Sequence, residues 1–217
     1  MAAFTLVIGN KNYSSWSLRA WLTLKQAGLD FEEVRIALSQ PDTREQLLRY
    51  SPSGRVPVLI HEGLVIWESL AICEYINELT PDRHLLPKDP KARAIARAVS
   101  SEMHAGFQRL REHMAMDCRS RFPGQGRAPG VQEDIDRITT LWRETRQQFG
   151  NSGDFLFGSF TYADAMFAPV VSRFVTYEVA LDPISQAYAD AIWALPTMQE
   201  WLTAAEAEPE VIEEHTV

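Results

Sequence analysis

Cysteine is scarce: the 217 residues hold two, Cys73 and Cys118, far apart and in no C-x-x-C pair. That excludes a disulfide framework and supplies no thiolate set for zinc, so no metal is expected. Cys73 reads as packing on an apolar helix. Long apolar runs are missing too. The longest last only a few residues, whereas a membrane span needs about 20. The opening "MAAFTLVIGN" has neither a basic n-region nor a small-residue cleavage site, so the expected location is cytoplasmic, away from any membrane. Positive charge is also short, with 21 Lys and Arg against 29 Asp and Glu and a formal net charge of -8. That balance argues against nucleic acid and anionic membrane as partners. The arginines from Arg93 to Arg127 accordingly read as solvated helix faces. There is no internal repeat, and the Gly- and Pro-bearing "RFPGQGRAPG" is a loop between helices. With 46% hydrophobic and 23% charged residues, the chain has material for one large or two small cores.

A change of texture divides it. From Phe4 to Leu79 strand-like and helix-like segments alternate. "FTLVIG" is a short apolar run, "LRAWLTLKQAG" predicts a helix closed by Gly28, and "FEEVRIAL" alternates near its end. A polar stretch follows, then the strand "VPVLI", a tight "HEG" turn, the strand "LVIW" and the helix "SLAICEYINEL". A parallel crossover followed by an antiparallel hairpin predicts a small mixed sheet covered by helices. "TPDRHLLPKDP", with three prolines, suits an ordered linker. Beyond it the pattern is helical: Lys91 to Cys118, Val131 to Phe149, Ala163 to Val179, and Ser185 through Trp201 with an interruption near Pro196.

Several strings, in this order and at these separations, carry a resemblance: "SSWSLRAWL", "GRVPVL", "WESLAICEYI", "LLPKDPKARA" and "GSFTYADA". Together they resemble the glutathione transferases over nearly the whole chain. The serine-rich start looks most like the zeta class, and "SSEMHAGF" is similar to a stretch of the bacterial beta class. The resemblance implies an α/β thioredoxin-like domain of order βαβαββα at residues 1–82, a linker at 83–90, and an all-helical bundle carrying an electrophile pocket at 91–217. It also implies glutathione as cosubstrate, a small apolar electrophile as second partner, and a homodimer.

The chemistry of such an enzyme accounts for the serines. The thiolate is the nucleophile, and an unperturbed thiol has a pKa of about 8.5. A helix N-terminus contributes about 0.3 to 1 kcal/mol to an anion placed there, and a hydroxyl hydrogen bond to the charged sulfur adds about 1.5 to 3 kcal/mol. By the family pattern Ser14 is the donor, with Ser15 a second contact or stand-in and Ser17 the helix N-cap. Taken alone, the three serines could equally cap and turn the chain. Tyr13 is the rival donor, since other classes use a phenol here. Trp16 stands where the zeta pattern has a cysteine, which puts maleylacetoacetate isomerisation in doubt.

In "GRVPVL" the family's proline is cis, so the resemblance implies that the Val56 backbone pairs with the cysteinyl part of glutathione beside Pro57, with Arg55 near the glycine carboxylate. Solvent is the alternative for Arg55. In "WESL" Glu68 suits the γ-glutamyl ammonium and Ser69 its carboxylate, against the alternative of a simple helix cap preceded by an acid. Glu102 and His104 resemble the beta-class stretch that reaches glutathione across the dimer interface. Arg173 and Tyr177, one turn apart, are expected to face the electrophile. Thr161 and Asp164 form a capping box, a matter of folding rather than catalysis. The readings from other classes are an isomerase of the maleylacetoacetate type and a non-catalytic binding or regulatory module.

Overall fold

The computed structural model describes residues 3–212; the expected domain limits at 1 and 217 lie outside them. Strand β1 (Phe4–Ile8) leads into helix α1 (Ser15–Gln26), which ends at Gly28 with φ +69°, the conformation glycine adopts without strain. β2 (Phe31–Arg35) pairs parallel to β1, completing the crossover. The polar stretch after it holds a short helix, α2 (Thr43–Leu48). β3 (Val58–His61) and β4 (Leu64–Trp67) then form a hairpin, with β3 antiparallel to β1. Its turn residues, Glu62 and Gly63, both have positive φ, as a two-residue turn that matches strand twist requires. The sheet order is β2-β1-β3-β4.

Alternation along the strands decides what covers each face. Leu6 and Ile8 of β1 and Leu59 of β3 join the main core, whereas Val7, Val58 and Leu47 of α2 make a small core on the opposite face. α3 (Ser69–Leu79) follows the hairpin, so this half has the expected βαβαββα order.

The second half is helical: α4 (Pro90–Ala105), α5 (Gln108–His113), α6 (Val131–Phe149), α7 (Tyr162–Thr176), α8 (Pro183–Trp193) and α9 (Pro196–Glu206). The main core is continuous across both halves, running from β1, α1 and α3 into α4, α6 and α7. α1 lies against α7, which is buried almost throughout. α7 begins at the expected capping box: Asp164 accepts from the Thr161 N–H at 2.7 Å, the Thr161 hydroxyl at 2.9 Å and the Leu156 N–H at 3.1 Å.

Two expectations need correction. The helix predicted from Lys91 to Cys118 breaks at Gly106, whose backbone is extended, and Phe107, whose φ is +60°. The break turns Phe107 into the core, and Arg111 fills the exposed end of α4 by donating to the carbonyls of Met103, His104 and Gly106. Ser17 is not the cap of α1. Ser14 is, and Ser17 lies buried within the first turn, where its hydroxyl accepts the Gly9 N–H at 3.0 Å.

Candidate active site at the start of the first helix

Two cavities meet at the N-terminus of α1. One, of about 480 Å³, runs past Ser53, Pro57, Trp67, Glu68, Ser69 and His104. The other, of about 420 Å³, lies between the halves and is lined by Tyr13, Ser14, Ser15, Leu38, Leu47, Arg111, Ala115, Met116 and Arg173. Trp16, Arg55 and Val56 border both.

Ser14 lines the second cavity, two residues before the shared Trp16. Its Oγ accepts the Ser17 N–H at 3.4 Å and lies 2.7 Å from Ser17 Oγ. Either hydroxyl can donate to the other; with Ser17, which accepts the Gly9 N–H, donating to Ser14, the Ser14 proton is left for the cavity. Ser15, the first residue of α1, lines the same wall. Tyr13 is tied elsewhere: its phenol oxygen accepts from Arg119 Nη2 at 3.1 Å and from the Ile212 N–H at 3.3 Å. The segment after α9 lies across this loop like a strap. Glu208 accepts the N–H groups of Lys11 at 2.7 Å and Asn12 at 3.1 Å, while Arg119 donates to the carbonyls of Glu208 and Glu210.

The Val56-Pro57 peptide is cis. Glu68 precedes α3 with φ +70° and makes no side-chain cap bond, a conformation that costs a non-glycine residue about 1 to 3 kcal/mol. Such strain at a cavity wall speaks for a site rather than a cap. Ser69 is buried, lines the cavity, and its hydroxyl has no partner among the described residues. The Glu68 carboxylate is 3.6 Å from His104 Nε2. Burial, followed by the nearby charge of Arg19, pushes the imidazole below its usual pKa, so at neutral pH His104 leaves the carboxylate un-neutralised. This cavity thus offers an acid and a lone hydroxyl side by side, a match for an ammonium and a carboxylate on one carbon.

Glu102 and Tyr177 are not brought here. Glu102 makes a bidentate pair with Arg137, at 2.7 and 3.0 Å, on the outer side of α4. Tyr177, fully buried, packs on Phe122 and lines neither cavity. Arg173 does reach the second cavity. It donates to the Met114 carbonyl at 2.8 Å, and burial, with the charge of Arg111, pushes its pKa down to about 9, still cationic at neutral pH.

Arg111 and Arg19 were not foreseen. Arg111 belongs to the run of arginines expected to be solvated, but its guanidinium carbon lies 4.7 Å from the Trp16 ring centroid and that of Arg19 lies at 4.3 Å. The only hint in the sequence is the placement of Arg19 three and four residues after Trp16 and Ser15, on one helix face. The second cavity therefore has apolar walls, three arginines and no carboxylate. No group of three or more His, Cys, Asp or Glu able to hold a metal occurs among the described residues, and none of their helices is long and apolar enough to cross a membrane.

A thioredoxin-like half with a helix N-terminus aimed into a polar cavity, joined to a helical half that walls an apolar one, defines the glutathione transferase class. The family comparisons agree: residues 13–79 match the glutathione S-transferase N-terminal domain and residues 93–204 the C-terminal domain. The chain belongs to the glutathione S-transferase family, whose members use glutathione. It is 32% identical over 174 residues to a probable maleylacetoacetate isomerase of Caenorhabditis elegans, covering 78% of each chain. It is 31% identical over 173 residues to the maleylacetoacetate isomerase of Rattus norvegicus, covering 78% of this chain and 77% of that one. Among solved structures, it is similar to a glutathione transferase homologue from Burkholderia gl BGR1 with bound glutathione, at 26% identity and a TM-score of 0.71, covering 96% of this chain and 100% of that one.

Proposed function

We propose that this enzyme holds glutathione along the first cavity and uses its sulfur, as the thiolate at Ser14, to attack a small electrophile in the second. The junction of an acid-bearing polar cavity with an apolar one at Trp16, Arg55 and Val56, with the Ser14 hydroxyl on the wall of the second, carries this reading. Glu68 pairs with the γ-glutamyl ammonium and Ser69 with its carboxylate. The Val56 backbone beside Pro57 holds the cysteinyl unit, and Arg55 reaches the glycine carboxylate. His104 backs Glu68. The thiol proton leaves to water, and the dipole at the start of α1 and the Ser14 hydroxyl stabilise the remaining charge. Residues 1–82 bind the tripeptide, and residues beyond the 83–90 linker complete the electrophile wall.

An electrophile with an apolar body fits Leu38, Leu47 and Met116. Arg111 and Arg173 favour a second reading, an acidic substrate of the kind a maleylacetoacetate-type isomerase takes, because a guanidinium fork matches a carboxylate. Trp16, far bulkier than a thiol, favours flat apolar partners. Steady-state rates with a neutral aromatic electrophile and with a cis-unsaturated dicarboxylic acid, in the native enzyme, Trp16→Cys and Arg173→Met, test the balance. The expected result is stronger conjugation than isomerisation in the native enzyme. Efficient native isomerisation that Arg173→Met abolishes would overturn it and establish the isomerase reading.

A homodimer belongs to the same proposal, supported by the edge strand β4 that exposes Leu64 and Trp67 and tested by sedimentation. So does a cytoplasmic location, supported by two buried free thiols and tested by cell fractionation.

A further inference from the structure

Arg19 has no visible reason to be an arginine. It is fully buried in α1, and none of its three guanidinium nitrogens has a hydrogen-bond partner among the described residues. A buried cation that meets an aromatic ring but no hydrogen-bond acceptor and no anion works against its own fold, and an apolar side chain of similar volume would serve packing better. The charged and titratable groups acting on it are Arg111 of α5, Arg173 of α7 and the Cys73 thiol of α3, and it acts in turn on His104 of α4. The first two are cations. Burial pushes the thiol up to about 12 and the imidazole down, so both are neutral at neutral pH. Burial and the two neighbouring arginines also press the pKa of Arg19 downward, and an arginine's high intrinsic pKa keeps it charged.

Its position gives that charge a target. Four residues after Ser15, Arg19 shares the Ser15 face of α1, and helical side chains lean toward the N-terminus. Its guanidinium lies against the Trp16 ring. Trp16 lines both cavities and Arg19 lines neither, so Arg19 acts on the site without contact. Apolar surroundings leave its field less screened than in water.

We propose that Arg19 is a positioning residue for charge, whose buried and uncompensated guanidinium, seated behind Trp16, stabilises the thiolate at the first turn of α1. This rests on the placement of glutathione given above. Ser14 supplies the direct hydrogen bond, and Arg19 supplies a fixed positive field.

The test is ultraviolet difference titration of the thiolate in the enzyme–glutathione complex of Arg19→Met and Arg19→Lys, with calorimetric affinity for glutathione and thermal melts beside it. The Met variant is expected to raise the bound thiol pKa by about one unit, to change glutathione affinity at a pH well below the thiol pKa by less than threefold, and to melt no lower than the native protein. Lys, whose buried ammonium gives up its proton more readily than a guanidinium, is expected to fall between the Met variant and the native protein. If the Met variant does not fold, Arg19→Gln gives the same readout. An unchanged thiol pKa in a folded Met or Gln variant overturns the proposal, and a lowered melting point beside it would assign Arg19 to packing alone. Failure of the native protein to bind glutathione would instead overturn the site reading on which the proposal stands.

Discussion

Replacing Ser14 by alanine removes a hydroxyl with two tasks of unequal weight. As the cap of α1 it accepts the Ser17 N–H at the long distance of 3.4 Å. Loss of a cap costs about 0.5 to 2 kcal/mol, and a bond this long belongs in the lower part of that range. The Gly9 amide keeps its acceptor, Ser17 Oγ, at 3.0 Å, so nothing further is stranded in the fold. As a donor to a thiolate, the same hydroxyl contributes about 1.5 to 3 kcal/mol. At about 1.4 kcal/mol per pKa unit, its loss raises the bound thiol pKa by about one to two units. Chemistry should therefore suffer more than folding. Ser17→Ala should show the opposite balance: it leaves the Gly9 N–H buried and unpaired, at about 1 to 3 kcal/mol to the fold, while the thiol shifts less. Urea unfolding and ultraviolet titration of bound glutathione, run on both variants, measure the two quantities separately. An unchanged thiol pKa in Ser14→Ala, with the shift abolished in Ser15→Ala or Tyr13→Phe, would refute the assignment.

Other expectations follow from the same geometry. Glu68→Gly relieves a φ of +70° and should stabilise the fold by about 1 kcal/mol, while calorimetry shows glutathione affinity falling at least about tenfold through the lost charge-assisted contact. Ser69→Ala should cost affinity and leave the melting temperature within a degree or two, because its hydroxyl bonds nothing in the fold. Asp164→Ala strands the Thr161 and Leu156 amides and should cost at least about 3 kcal/mol in denaturant titration. Burial raises the Asp164 pKa to about 6, above its unfolded value of about 3.9. The stability that this group's proton contributes is complete below about pH 4 and is lost as pH rises through 6. Melting curves from pH 4 to 7.5 should show Asp164→Asn without that slope.

What the sequence made legible was what repeats or punctuates. α6 was read as it stands because its apolar period runs unbroken from Val131 to Phe149, and the turn at Glu62 and Gly63 followed from short, glycine-bearing spacing. α2, at six residues, is too short to show a period inside a polar stretch. The break at Gly106 and Phe107 was hidden because α4 and α5 together mimic one amphipathic run. The site divides similarly. Ser14, Val56, Glu68 and Ser69, which line the two cavities, stand out in the sequence because each belongs to a short string with its own chemistry. Arg19 and Arg111 do not, since whether an arginine meets water or an indole depends on the helices laid over it. Within one chain Glu102 and Tyr177 are drawn elsewhere, to Arg137 and Phe122, because spacing along a helix does not say which neighbouring helix a side chain meets.

The strap over the Lys11–Tyr13 loop bears on the order in which a newly made chain acquires its parts. Every hydrogen bond of the four-stranded sheet is available once Trp67 has left the ribosome. The backbone N–H of Lys11, by contrast, waits for an acceptor 197 residues downstream. Domains fold largely as they emerge, so the nascent chain can form its sheet before it can fix the loop leading into Ser14. A chain stalled just before Glu208 lacks the carboxylate that clamps Lys11 and Asn12, and the loop into Ser14 is among the last parts to be fixed.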